Sequence, residues 1–202
     1  MRVMGIMGWE WALNADNEIS WGLGDINRDG AIDIIVGNLD KTRVWIGTGD
    51  GTFDFQRDPF TTEDEAFPKE PIAFLIHDLD RDDNPDLLVL DAQESVSVWK
   101  GKGNGSFAFG YRYNNILGTD MALGEMTGDG VVDLVIADGY SRTVSVLTGK
   151  GDGRFSPKID YAAGGGDRLV LGDLNNDGWT DVVTTNSEQD AFSVLLSACH
   201  SK

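Results

Sequence analysis

Cysteine, histidine, proline and positive charge are all scarce in this chain of 202 residues. A single cysteine, Cys199, can form no internal disulfide and no cysteine zinc cluster, and with only His77 and His200 beside it zinc lacks its usual ligands. Proline contributes 5 residues against 26 glycines, so the glycine belongs to tight turns rather than to a proline-rich linker. Sixteen basic residues face 34 acidic ones, and the formal net charge of -18 creates a field that repels phosphate backbones and anionic lipid. Nucleic acid is therefore not an expected partner, and membrane insertion is not expected because no run approaches 18 apolar residues. The opening stretch from Arg2 to Trp11 is basic and then apolar, but Glu10 interrupts it and the apolar part is short for a signal peptide.

What the chain has is a core and a repeat. Hydrophobic residues make up 41%, enough to bury a core in one domain or in an array of small units. Four acidic segments align without gaps: residues 24–33 (GDINRDGAID), 77–86 (HDLDRDDNPD), 124–133 (GEMTGDGVVD) and 172–181 (GDLNNDGWTD). Their first acidic positions, Asp25, Asp78, Glu125 and Asp173, lie 53, 47 and 48 residues apart, the period of a propeller blade. Each segment is followed by a β-branched apolar run (residues 34–36, 87–90, 134–136, 182–183) and a turn opening on Asn38, Asp91, Asp138 or Asn186. A second strand follows through residues 44–45, 96–99, 144–147 and 192–195. Three of these run into a glycine hairpin (residues 49–53, 103–107, 151–155), where Asp-Gly and Asn-Gly predict two-residue turns. A short apolar run before each acidic segment completes four strands per unit, A to D, with the acidic loop between A and B. The expectation is one all-β domain over 1–202: a β-propeller of four-stranded antiparallel blades, with repeats at about 14–56, 57–113, 114–161 and 162–198. Met7, Trp9, Trp11 and Leu13 alternate as a D strand does, so residues 1–13 are expected to close the last blade.

The acidic loops place Asp or Asn at positions 1, 3, 5 and 9, which sets several hard oxygens around one centre and suits calcium. The expected ligands are Asp25, Asn27, Asp29 and Asp33 in the first loop and Asp78, Asp80, Asp82 and Asp86 in the second. They are Glu125, Thr127, Asp129 and Asp133 in the third, and Asp173, Asn175, Asp177 and Asp181 in the fourth. The seventh residue of each loop, Ala31, Asn84, Val131 and Trp179, would add its backbone carbonyl. Position 6 is glycine except at Asp83, which tolerates a left-handed backbone. Glu125 and Thr127 make the third loop the weakest, so three to four calcium ions are expected. Four of them would move the formal charge from -18 to about -10. An EF-hand does not fit, because its bidentate Glu would fall on Val36, Val89, Ile136 or Thr184, inside strands. The alternative without metal is an Asp-rich turn capped by its own side chains.

These segments resemble the FG-GAP or VCBS repeats of integrin-α-like β-propellers, with an acidic Gly-Asp-x-Asn-x-Asp-Gly-x-x-Asp loop, an apolar strand and a Gly-x-Gly turn ending on Phe. The resemblance implies calcium in the A–B loops, a place outside the cell or on its surface, and work in adhesion, in glycan binding or as a module of secreted polysaccharide-acting enzymes. Relatives usually have seven or eight blades. Four leave open a closed ring, half of an eight-blade ring completed by a homodimer, and a fragment of a longer propeller. The resemblance also implies ligand contacts on the face opposite the calcium loops, where the B–C turns bring Tyr140 and Arg142. An insertion carrying Phe60 joins the first two blades there. Trp45 and Trp99 occupy equivalent C-strand positions and read as packing between blades. No Ser-His-Asp or Cys-His set has support from spacing. The expected function is a non-catalytic calcium-binding interaction module for a protein or glycan. The propeller part of a polysaccharide lyase-like enzyme and a self-assembling propeller fragment without a ligand are the alternatives.

Overall fold

The computed structural model of the protein describes residues 20–37, 41–56, 59–60 and 70–197. Its strands form four antiparallel sheets arranged as the blades of a β-propeller, with no helix among the described residues. The first blade is β1 (Ser20–Gly24), β2 (Asp33–Gly37), β3 (Thr42–Gly47) and β4 (Phe53–Gln56). The second is β5 (Pro71–His77), β6 (Asp86–Asp91), β7 (Ser95–Gly101) and β8 (Phe107–Asn114), and the third β9 (Asp120–Gly124), β10 (Asp133–Asp138), β11 (Thr143–Leu147) and β12 (Ile159–Ala162). The fourth has β13 (Leu169–Gly172), β14 (Asp181–Asn186) and β15 (Ala191–Leu195). Within each blade consecutive strands pair in chain order, as short connections require. The closing strand expected of residues 1–13 lies outside the described residues, as does the insertion over 61–69.

Every residue of β6 and β10 is buried, because each is a middle strand of a blade with a neighbour on both faces. That is why their sequences, DLLVLD and DLVIAD, are unbroken apolar runs between acidic ends rather than alternating ones. Three apolar clusters follow, one per interface between consecutive blades. Ile26, Ile35 and Val44 of the first blade pack on Phe74, Leu87, Val89, Trp99 and Phe107 of the second. Leu88, Leu90, Val96 and Val98 then pack on Met121, Leu134, Ile136 and Leu147 of the third. The last cluster joins Val135, Ala137 and Val144 to Leu169 and Val182 of the fourth. The A strands line up along the axis, β1 against β5, β5 against β9 and β9 against β13.

The glycine hairpins differ from the two-residue turns read from Asp-Gly and Asn-Gly. The closing bonds run from Thr48 N to Thr52 O, from Lys102 N to Ser106 O and from Lys150 N to Arg154 O, each enclosing three residues. Both glycines of each hairpin, such as Gly49 at φ 81° and Gly51 at φ 90°, take the left-handed backbone, and the residue between them does not. The reason lies in that middle side chain. Asp50, Asn104 and Asp152 each accept the N–H two residues on, which a three-residue loop allows.

Candidate metal centres

All four acidic loops connect the first and second strands of their blades and share one fold. Positions 4 and 6 are both left-handed: Arg28 and Gly30, Arg81 and Asp83, Gly128 and Gly130, Asn176 and Gly178. Asp83, at φ 68°, takes the conformation expected of an Asp in the glycine position. The first acidic residue folds back over the loop. Asp25 accepts the N–H groups of Asp29 (3.1 Å) and Gly30 (2.9 Å), and Asp173 accepts those of Asp177 (3.2 Å) and Gly178 (2.9 Å). In the third loop Glu125 reaches the N–H groups of Thr127 (2.8 Å), Gly128 (2.6 Å) and Gly130 (3.2 Å). Burial pushes the Glu125 carboxyl up, but these amides outweigh it and hold the group below its ordinary value. The longer side chain is thus taken up by caps.

Position 9 has a second task that its spacing does not reveal. Asp33, Asp86, Asp133 and Asp181 are buried, and each accepts one N–H from position 2 of its loop and one from the end of the third strand of its blade. For Asp33 these are Ile26 N at 2.7 Å and Gly47 N at 2.8 Å. The carboxylate therefore clasps the loop to strand C. Glycine stands at the end of that strand in two blades and two residues past it in the third, because a Cβ at Gly47, Gly101 or Gly149 would stand 2.3, 2.0 or 2.1 Å from the carbonyl oxygen of Ile32, Pro85 or Val132. Burial pushes the Asp133 carboxyl up, and pushes Asp86 up to about 6 with the charges of Asp80 and Asp82 adding to it.

The loops differ in what they gather. In the second, one oxygen each of Asp78, Asp80 and Asp86 lie within 4.8 Å of one another, the group of that kind found among the described residues. Asp80 Oδ1 is buried there with no hydrogen-bond partner, and its other oxygen pairs with the Lys100 ammonium. Lys100, at the end of β7, is a member of this centre that the loop motif could not reveal, since it lies 20 residues away in sequence. Asp82 is turned instead onto the N–H of Asn84, at 2.7 Å. In the first and fourth loops position 3 is an amide. Asn27 Nδ2 donates to Asp29 at 2.7 Å and Asn175 Nδ2 to Asp177 at 2.9 Å, while Asp29 and Asp177 also accept the N–H of Ala31 and Trp179. The Ala31 N–H first, and the Asn27 side chain second, hold the Asp29 carboxyl below its ordinary value. Asp129 likewise accepts the Val131 N–H at 2.8 Å, and the Thr127 side chain bonds Glu125.

On the opposite face the second-to-third strand turns are anchored by buried Asp91, Asp138 and Asn186. Asp138 accepts the N–H groups of Tyr140 (2.9 Å) and Ser141 (3.0 Å), which fixes the turn and leaves the Tyr140 ring 86% exposed. Arg142 reaches the next blade, 3.3 Å from Glu188. Phe60 sits apart from both. It packs on Trp99 (4.5 Å between centroids) and Phe107 against the core joining the first two blades.

Residues 126–184, from the third acidic loop through the fourth and into β14, match the FG-GAP-like repeat family. No curated protein matches the chain. Solved structures do. A lectin of Agrocybe aegerita, described as recognising non-reducing terminal N-acetylglucosamine, matches with 20% identity and a TM-score of 0.59 over 83% of this chain and 47% of its own. BBS1N, solved in complex with ARL6DN, matches at 13% identity and 0.56 over 87% and 55%. The Tc holotoxin pore of Photorhabdus luminescens matches at 21% identity and 0.50 over 88% and 9%. The chain thus spans about half of the first two and a small part of the third. The four blades in register make this chain a β-propeller, and its residues 126–184, across the third and fourth loops, match the FG-GAP-like repeat.

Proposed function

We propose that this chain is a non-catalytic, calcium-binding recognition module that engages a glycan or protein through the face opposite its acidic loops. The observation that carries the metal is the second loop. A buried carboxylate oxygen without a partner costs free energy that a hard cation recovers, and Asp80 Oδ1 is such an atom beside oxygens of Asp78 and Asp86. Burial first, and the charges of Asp80 and Asp82 after it, push Asp86 up to about 6, and a cation held there would offset both. Asp78, Asp80, Asp82 and Asp86 with the Asn84 carbonyl would hold one ion. The first and fourth loops would hold others through Asp25, Asn27, Asp29, Asp33 and Asp173, Asn175, Asp177, Asp181, and the third binds most weakly. The ions are structural: each would join strand A to strand B, so that binding energy becomes folding energy. The millimolar calcium outside cells would fill sites of modest affinity, and the proposal places the protein there or on the cell surface.

The likeness to a lectin of the same fold supports a glycan as the ligand, with Tyr140 as a stacking ring and Arg142 beside it. Two measurements test the proposal. Melting followed with calcium and with EGTA should show a lower transition in EGTA, and indifference to the chelator would remove the metal. A glycan array probed with folded, calcium-loaded protein should give binding that Tyr140→Ala abolishes. Blank arrays with full calcium stabilisation would leave a protein ligand in place of a sugar.

A further inference from the structure

The repeat gives each blade two different faces, and the three internal interfaces all join the same two. One face carries the alternate residues of the first three strands typified by Phe74, Ile76, Leu87, Val89 and Trp99 in the second blade, which the first blade covers. The same positions in the first blade are Trp21, Leu23, Ile34, Val36 and Trp45. There Trp21 is 64% and Leu23 54% exposed. The other face is typified by Ile26, Ile35 and Val44, buried against the second blade. Its counterparts in the fourth blade are Leu174, Val183 and Val194, and Leu174 is 51% exposed. Phe192 and Val170 extend that open surface.

The fit between the two end faces has a specific point. Glycine precedes the acidic loop in the first, third and fourth blades, with His77 in the second, and in the first and third it is a notch for the next blade. A Cβ at Gly24 would stand 2.8 Å from Ile76, and one at Gly124 would stand 2.6 Å from Leu171. Ile76 and Leu171 are the counterparts of Leu23. In the fourth blade the same notch is Gly172, where a Cβ would meet nothing within 4 Å. Among the described residues, the fourth blade thus has an open notch and the first an exposed side chain of the kind that fills it.

We propose that these faces join two copies of this chain: the fourth blade of each copy covers the first blade of the other, Leu23 seats on Gly172, and the two contacts close one ring of eight blades. A heterologous contact made twice about a two-fold axis closes without leaving either face exposed. The interface continues the three already formed inside the chain, and the surface it covers is of the apolar kind that marks an association site.

Sedimentation equilibrium in calcium tests this. The wild-type chain should run at twice 21.9 kDa. Leu23→Asp and Gly172→Ile should each run as monomers with the circular dichroism of the parent, since Gly172 has open space around it. Their equimolar mixture should regain a dimer, because the Gly172 end of one variant and the Leu23 end of the other remain intact. With Cys199→Ser, the pair Leu23→Cys and Gly172→Cys should form disulfides that link two chains on a non-reducing gel. A monomeric wild type, a dimer indifferent to both variants, a disulfide closed within one chain, or a ladder of trimers and longer species would each overturn the proposal.

Discussion

A single carboxylate in each loop separates two roles that share one motif. Asp133 is buried and accepts the N–H groups of Met126 and Gly149, both at 2.8 Å, while Asp129 is exposed and accepts only the Val131 N–H. Asp133→Ala strands two amides and should cost about 3 kcal/mol with or without calcium. Asp129→Ala should cost about 1 kcal/mol or less in EGTA. Urea unfolding of both variants in EGTA checks the difference, and equal losses would contradict the clasp. Lys100 offers a second test. Its ammonium holds one oxygen of Asp80 and draws its raised pKa first from that bond. Lys100→Met removes a competing cation from the second loop, and calorimetric titration should show calcium binding there tighter by about fivefold, about 1 kcal/mol.

The glycine hairpin between the third and fourth strands shows how an element acquires its own titration. In the first blade the Asp50 carboxyl is held down to about 2 by the Thr52 hydroxyl, then the Thr48 hydroxyl and the Thr52 N–H. Its folded value lies below the ordinary 3.8, so its contribution is complete above 3.8 and lost as pH falls through about 2. A carboxyl-carbon NMR titration should place Asp50 near that value, and Thr52→Ala should return it toward 3.8. An unchanged Asp50 in that variant would show that the hydroxyl does not hold it. The hairpin itself was legible from Gly49-Asp50-Gly51, but its length was not. The middle side chain accepts an amide of the third residue, and this selects a three-residue loop over the two-residue turn that Asp-Gly favours elsewhere.

Across the whole array, burial is greatest in the middle blades and falls at its ends. β6 and β10 are fully buried, whereas β13 and β15 carry Val170, Phe192 and Val194 at the surface. In the monomeric Gly172→Ile variant, hydrogen exchange should therefore be slowest in β6 and β10 and faster in β13 and β15. In the proposed wild-type dimer the fourth blade should gain protection. Equal protection of β15 in both proteins would mean that nothing covers it in solution.

The blade period, the strand order and the acidic loops could be read from residue types alone, because a repeat forces the same local solution four times and Asp83 merely takes glycine's backbone. Which carboxylates gather could not. The four loops look alike in one dimension, yet convergence in the second depends on Asp80 in place of an asparagine and on Lys100 arriving from another strand. Phe60 reads as a binding-loop ring but packs on Trp99, since an insertion's direction is set by the core it meets. Leu23 and Leu171 are likewise indistinguishable in sequence, and the difference between them is whether a blade stands on the other side: Leu171 meets Gly124, and Leu23 faces solvent. Spacing fixes what each residue can do locally, while long-range packing decides which partner it finds.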